Sequence, residues 1–434
     1  MKKLGSIVGR MGRLAADCAG VLLTLAARKR GADFGRRKRV TFVQFGDYEE
    51  AYRRFEGGGA ENYYAQKYSV DFVGSLPAAP DIESVTVICV SSQARSTVLS
   101  NGVHTVGLEL YPQDRSPRVR ELLDLVTAIN PTHLLVMTPC IPLIAWGVRA
   151  GCAVLPMLAD SFRVKSIKAA IDYRLLRILF NSGAIEFIAN HNLAASLDLC
   201  RIGIAAAKVI PYDWPALISP HDFAAKDAAP SKAVFRLLYV GAVIESKGVG
   251  DAIDALGILR NRGLNIILTI IGRGDVEAFR STVAARGLRE FVEFLGNQSH
   301  SQVVNAMRSH DAVVVPSHWS YPEGLPMTLF EALCTRTPLL TSNHPMFALK
   351  IRDGYNALVF PERNPEAFAS RIEELWKSPE MYSRLSANAL AAADAYLCPL
   401  KFAELISAFL GLNESIDLRK FSLANFYPEY LETA

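Results

Sequence analysis

The chain has 434 residues, of which 50% are apolar and 21% charged, and its formal net charge is +4. That length exceeds one ordinary hydrophobic core, so two domains are the default, and the composition excludes wholesale disorder. The near balance of charge argues against a nucleic-acid partner. Seven scattered cysteines with no CxxC pair argue against a disulfide framework or a zinc site.

Charge is concentrated at the start. Residues 1–39 carry eleven Lys or Arg against Asp17 and Asp33, a surplus of nine, which leaves the remainder at net −5. Leu4, Ile7, Met11, Leu14, Cys18, Leu22 and Leu25 recur at helical spacing, with Lys3, Arg10, Arg13 and Arg28 largely off that stripe. The apolar run Val21–Ala27 is too short to span a bilayer. It ends in Arg28-Lys29-Arg30 rather than a small-residue cleavage site, which argues against a signal peptide. One reading is an amphipathic helix that lays residues 1–30 on an anionic membrane surface, each basic side chain contributing roughly 1 kcal/mol. The other is a docked extension weakened by Gly5, Gly9, Gly12 and Gly20.

From Val40 onward strands and helices alternate. Val40–Phe45 is β-branched and aromatic, and a loop follows that contains Gly57, Gly58 and Gly59. Further short apolar runs lie at Val85–Val90, His133–Met137 and Ala153–Leu158, with helical segments between them. This alternation predicts a parallel sheet covered on both faces. The stretch "PYDWPALISPHDFAAKDAAPSKA" lacks periodicity and reads as a linker. A second series follows: strand Phe235–Val240, loop Gly241–Gly248, helix Val249–Arg260, strand Asn265–Ile271, the turn Gly272-Arg273-Gly274 and another helix. Strand Phe291–Phe294, a helix near Gln302–Arg308 and strands Ala312–Val315 and Pro338–Thr341 complete it.

The expected organisation is a basic N-terminal extension (1–39), an N-terminal Rossmann-like domain (40–211), a linker (212–234), a C-terminal Rossmann-like domain (235–411) and a C-terminal extension (412–434). Ligands of such sheets sit beyond the carboxyl ends of the strands. The loops 241–248, 272–275 and 317–326 should therefore line one mouth.

Three features of the second series carry chemistry. Lys247, beside the start of a helix, suits a phosphate, although taken alone the segment reads more simply as an ordinary turn with a solvated lysine. Gly272-Arg273-Gly274 permits close backbone approach, to a ligand or within a tight turn. In "SYPEGLPMTLFEAL", Pro326 fits the first helical position, and Glu331 stands in an apolar run where an unpaired carboxylate is costly. Two ribose hydroxyls would satisfy it, and so would a salt bridge to an arginine elsewhere in the chain.

The segment "EGLPMTLFEAL" resembles the E-x7-E signature of the retaining glycosyltransferases of family 4, which have the GT-B fold. The resemblance extends over "LLYVGAVIESKGVGDAIDAL", "LTIIGRGD", "VEFLGNQS", "DAVVVPS" and "DGYNALVFPERNPEAFASRIEEL", in the family's order. It implies two Rossmann-like domains facing a cleft, with C-terminal helices crossing back to the first. It also implies a nucleotide-diphosphate sugar in the second domain, transferred with retention and without metal or other cofactor to a glycan or lipid-linked acceptor. Glu323 would contact the donor sugar and Glu331 the ribose. Gly241, Arg273, Gly324, Leu325, Pro326 and Met327 would line sugar and phosphates, and Lys247 would stabilise charge on the leaving phosphate. Gly58 and Gly59 would approach the donor from the first domain. Asp160 and His191 are the acceptor-side candidates. A cytoplasmic location follows, with the basic extension touching the inner face of the membrane.

Three departures qualify this reading. The family commonly has Arg after the strand glycine, where this chain has Ala242, and often a His after the fourth strand of the first domain, where Thr138-Pro139 stands. The family's "PNGVD" is "PYDWP" here. The alternatives are a catalytically silent GT-B protein that binds a nucleotide sugar or partner, and a GT-B sugar-nucleotide epimerase.

Overall fold

A computed structural model describes residues 37–109, 119–159, 161–162, 167–226, 234–321, 323 and 326–433. The chain divides into two compact units. The first comprises the chain up to Gly59, Gln66–Asp213 and Cys398–Ala434; the second comprises Ala60–Ala65 and Trp214–Leu397. The basic segment 1–36, and with it the whole of residues 1–30 expected to face a membrane, lies outside the described residues.

The first unit is built on eight strands: β1 (Lys38–Gln44), β2 (Ile82–Cys89), β3 (Arg95–Val98), β4 (His104–Gly107), β5 (His133–Val136), β6 (Ala153–Leu158), β7 (Ile188–His191) and β8 (Val209–Tyr212). Their order is β3-β4-β2-β1-β5-β6-β7-β8, parallel except for the β3–β4 pair. The central strands are buried on both faces, as their unbroken apolar runs require. After β1 the chain enters helix Tyr48–Glu56. Asp47 caps it by accepting from Glu50 N at 3.0 Å, and acidic residues at its start and Arg53 and Arg54 at its end match the helix dipole. The C-terminal helix Phe402–Phe409 belongs to this unit. Its entry is fixed by Phe402 N donating to Asp213 O at 3.0 Å and by the edge-on packing of Phe402 against Phe72.

The second unit carries β9 (Phe235–Val240), β10 (Ile266–Ile271), β11 (Val292–Gly296), β12 (Ala312–Val315), β13 (Leu339–Ser342) and β14 (Leu358–Phe360), all parallel in the order β11-β10-β9-β12-β13-β14. Helix Val249–Asn261 buries Val249, Ile253, Leu256 and Leu259 on this sheet. Helix Pro365–Lys377 stacks Phe368 on Phe360 of β14 with ring centroids 3.9 Å apart. Each fully buried Val, Leu or Phe contributes roughly 1.5–3 kcal/mol, so these faces hold the sheet flat against its helices. Among the described residues, no helix is long and apolar enough to cross a membrane.

Candidate functional site

The site is set by strand register. β9 and β10 pair Val240 with Ile271, so Gly241 and Gly272 leave the sheet side by side at its carboxyl edge. Their loops then zip together. Gly241 N donates to Ile271 O at 3.0 Å, Val243 N to Arg273 O at 2.8 Å and Asp275 N to Val243 O at 2.7 Å. A Cβ on Gly272 would lie 1.8 Å from Gly241 O, and one on Gly274 2.3 Å from Val243 O, at φ of +149° and +143°. The glycines are therefore required by the approach of one backbone to another.

A pocket of about 390 Å³ opens above these loops. Its walls include Gly241, Ala242, Gly272 and Arg273, the loop residues Asn297 and Gln298, Met327 and Thr328 at the start of helix Met327–Cys334, and residues 61–64. His300 and Glu331 also line it. Glu331 is 6% exposed, so its carboxylate is almost wholly desolvated, and His300 Nε2 donates to its Oε1 at 2.8 Å. The partner that removes the cost of burial is thus a histidine, which opens helix His300–Ser309 behind a capping box formed by Ser299 and Gln302. The hydrogen bond it donates to Glu331 raises the His300 pKa; burial raises that of Glu331, and His300 opposes the rise. The Tyr64 ring meets the imidazole edge to face at 5.7 Å. Its hydroxyl donates to Pro215 O at 2.9 Å and accepts from Leu217 N at 2.8 Å.

A second polar knot involves the other glutamate. Lys247 Nζ stands 2.5 Å from Glu323 Oε1, which also accepts from Ser317 Oγ at 2.7 Å, and the ammonium lies 4.2 Å from the centroid of the Tyr321 ring. Glu323 is 5% exposed. Lys247 ends a short helical turn, Glu245–Lys247, and Gly248 in the left-handed region then begins helix Val249–Asn261. Tyr239, buried beneath, donates to Ala242 O at 2.6 Å. Burial and the nearby Glu323 hold its pKa well above the usual phenol range, so it remains a donor. Neither Lys247 nor Glu323 lines the pocket.

Several sequence expectations need adjustment. Pro326 is the residue before the helix, with ψ 131°, and Met327 takes the first helical position. Gly324, Leu325 and Asp160 lie outside the described residues. Gly58 and Gly59 terminate helix Tyr48–Glu56: Gly58 N donates to Phe55 O and Gly59 N to Arg54 O, and Gly58 has φ +74°. His191 closes β7, and its Nε2 lies 3.1 Å from Oδ1 of the buried Asp213 just past β8. Asp213 Oδ2 accepts from Cys398 N at 2.6 Å, so His191 joins the knot that ties the C-terminal segment to its sheet. His300, Tyr64, Ser317 and Tyr321 escaped the sequence reading. Their contacts are tertiary, and only the Ser-x-x-Gln capping box beside His300 leaves a local trace.

Glu245, Asp251 and His318 bring possible ligand atoms within 4.8 Å of one another. His318 Nε2 already donates to Asp251 Oδ2 at 2.8 Å, and Glu245 is exposed, so the group is explained as an internal pair with a neighbouring acid.

Comparison with known proteins fits this geometry. The model of the family described as glycosyl transferases group 1 matches residues 222–391. HepE of Anabaena, in complex with UDP-glucose, superposes with a TM-score of 0.59 over 87% of this chain and 100% of its own, at 14% identity. The fold is GT-B. Beyond this GT-B likeness, the chain is 30% identical over 154 residues to the alpha-D-kanosaminyltransferase of Streptomyces kanamyceticus (35% of this chain, 39% of that one). It is 32% identical over 192 residues to the glycogen synthase of Mycobacterium tuberculosis (44% and 42%). The chain thus spans about two-fifths of the length of these curated relatives.

Proposed function

We propose that this GT-B protein is a retaining glycosyltransferase that takes a sugar from a nucleoside diphosphate and transfers it, without a bound metal, to a glycan or lipid-linked acceptor. The observation that carries the reading is a desolvated carboxylate, Glu331, facing a pocket whose other walls are strand-end glycine loops and the start of a helix. A nucleoside diphosphate offers what such walls accept. Its ribose hydroxyls donate to Glu331, and its phosphates suit backbone N–H groups at a helix start. Neighbouring proteins of this fold include one crystallised with UDP-glucose.

In this reading the bond from the anomeric carbon to the β-phosphate oxygen breaks, and the acceptor hydroxyl attacks from the same face. Its proton passes to the departing phosphate oxygen, so the enzyme needs no carboxylate nucleophile. Lys247 counters the charge that grows on that phosphate, an interaction stronger in the transition state than in the ground state. Glu323, held by Lys247 and Ser317, orients the sugar. Arg273 completes the donor contacts within the second unit, and His191 and Asp160 attend the acceptor. The basic residues 1–30 hold the protein to the inner face of the membrane.

A catalytically silent protein is the second reading, favoured by one observation. Ala242 occupies the pocket wall where the family's arginine would add a cation for the phosphates.

Nucleotide release from a panel of UDP, GDP and ADP sugars, with membrane and glycan extracts as acceptors, tests the assignment. Turnover that Glu323→Gln abolishes supports transfer, whereas binding with no turnover in any extract supports the silent reading. Deleting residues 1–30 should lower the fraction sedimenting with anionic vesicles; an unchanged fraction would remove the membrane role.

A further inference from the structure

Glu331 meets a contradictory demand. To accept from hydroxyl groups through both oxygens it must be ionised, yet burial favours its neutral acid. One side chain resolves the conflict. His300 Nε2 donates to Oε1 at 2.8 Å from the facing helix, and both residues line the same pocket. The histidine is itself located by three features. Ser299 caps its helix, the Tyr64 ring packs edge to face against the imidazole, and the Tyr64 hydroxyl is fixed between Pro215 O and Leu217 N. Oε1 is thereby bonded to His300, which leaves Oε2 as the acceptor for a further donor.

We propose that His300 is the positioning residue of the nucleoside site, holding Glu331 as an oriented carboxylate so that hydroxyl-bearing ligands bind across a wide pH range. The proposal rests on the nucleotide reading of the pocket given above.

The charged and titratable neighbours set the sign. Glu331 and Cys334 belong to helix Met327–Cys334, Glu61 and Tyr64 to the segment Ala60–Ala65, and Arg273 to the loop after β10. Glu331 draws the His300 pKa upward, and Glu61 adds to that effect while pushing the Glu331 pKa up as well. As pH falls, the incoming proton settles on the imidazole, whose charge then keeps Glu331 ionised. Without His300 the proton goes to Glu331, one acceptor is lost, and affinity declines from a higher pH.

Binding of UDP, with ADP and GDP alongside, should be measured by calorimetry between about pH 6 and pH 8. Wild type should bind at least one of the three with a nearly flat profile. His300→Ala should weaken that nucleotide about tenfold at the alkaline end, the scale of a lost charge-assisted hydrogen bond, and more steeply toward pH 6. His300→Gln restores an N–H donor without a charge. It should recover the alkaline affinity to within about threefold while keeping the steep acid limb, a split that a merely structural role would not produce. Glu331→Gln should bind weakly and independently of pH, and adding His300→Gln to it should change nothing further. A His300→Ala profile that coincides with wild type would overturn the positioning role, and a His300→Gln profile that does so would overturn the role of its charge; either leaves the nucleotide site standing. Wild type that binds none of the three nucleotides would overturn the nucleotide reading itself.

Discussion

Lys247 Nζ lies 2.5 Å from Glu323 Oε1, so two residues 76 positions apart form one ion pair at the carboxyl edge of the second sheet. Their side chains are 15% and 6% exposed, and Ser317 Oγ donates to the same oxygen. Removing either partner strands a largely buried charge. Lys247→Ala should therefore destabilise the second unit by about 3 kcal/mol as well as abolish transfer. Lys247→Met combined with Glu323→Leu should recover most of the stability and none of the activity. Thermal melting alongside nucleotide release checks this; equal melting temperatures for all variants would show that the pair is unimportant to the fold.

The legibility of this molecule follows from burial. β6, β9 and β12 read directly from the sequence because each is a short, nearly continuous apolar run buried on both faces. β3 does not read from the sequence because Arg95–Val98 is a half-exposed edge hairpin partner with mixed polarity, and β8 because its four residues run into the proline-rich stretch that begins at Pro211. That proline is tolerated since β8 ends the sheet, where a missing N–H costs nothing. At the site, Glu331 stood out as a carboxylate among apolar neighbours. His300 lies in a polar stretch 31 residues away, and nothing local announces a contact made by packing two helices together.

Gly272 tests the zipped loops. A methyl group there would sit 1.8 Å from Gly241 O with φ at +149°, and that oxygen belongs to backbone which cannot swing aside. Gly272→Ala should cost about 3 kcal/mol or more. Gly263 has φ +81° but no neighbour within 4 Å, so Gly263→Ala should cost only about 1 kcal/mol. Urea denaturation of the two variants should separate them; similar midpoints would mean that the loops spread apart readily.

Asp213 is the tie of the C-terminal segment. It accepts from Cys398 N at 2.6 Å through Oδ2 and faces His191 through Oδ1, while being 2% exposed. Asp213→Ala leaves the buried Cys398 N–H without that acceptor, at about 1–3 kcal/mol. Limited proteolysis should then cut between Cys398 and Phe402 at protease concentrations that wild type resists. Asp213→Asn, which keeps one oxygen acceptor, should fall between the two. Identical digestion patterns would show that helix Phe402–Phe409 alone retains the segment.

His133 sets an acid limit on the first unit. It is 6% exposed on the central strand β5, and burial, reinforced by Lys38, pushes its pKa down to about 4. An unfolded histidine titrates at about 6.5, so between those values the unfolded chain binds a proton that the folded one refuses. Stability must therefore rise with pH across that window and be lost as pH falls through it. The neutral ring packs edge-on against Phe409, and its Nδ1 lies 2.9 Å from Thr132 Oγ1, contacts that protonation would have to carry into a desolvated site. His133→Leu removes the titrating group while Thr132 Oγ1 keeps Arg39 O as an acceptor at 3.2 Å. Denaturant midpoints measured from about pH 7 to pH 4 should fall for wild type and fall less steeply for the leucine variant. Parallel curves would mean that other groups carry the acid transition, because only a group whose proton affinity changes on folding can bend the profile.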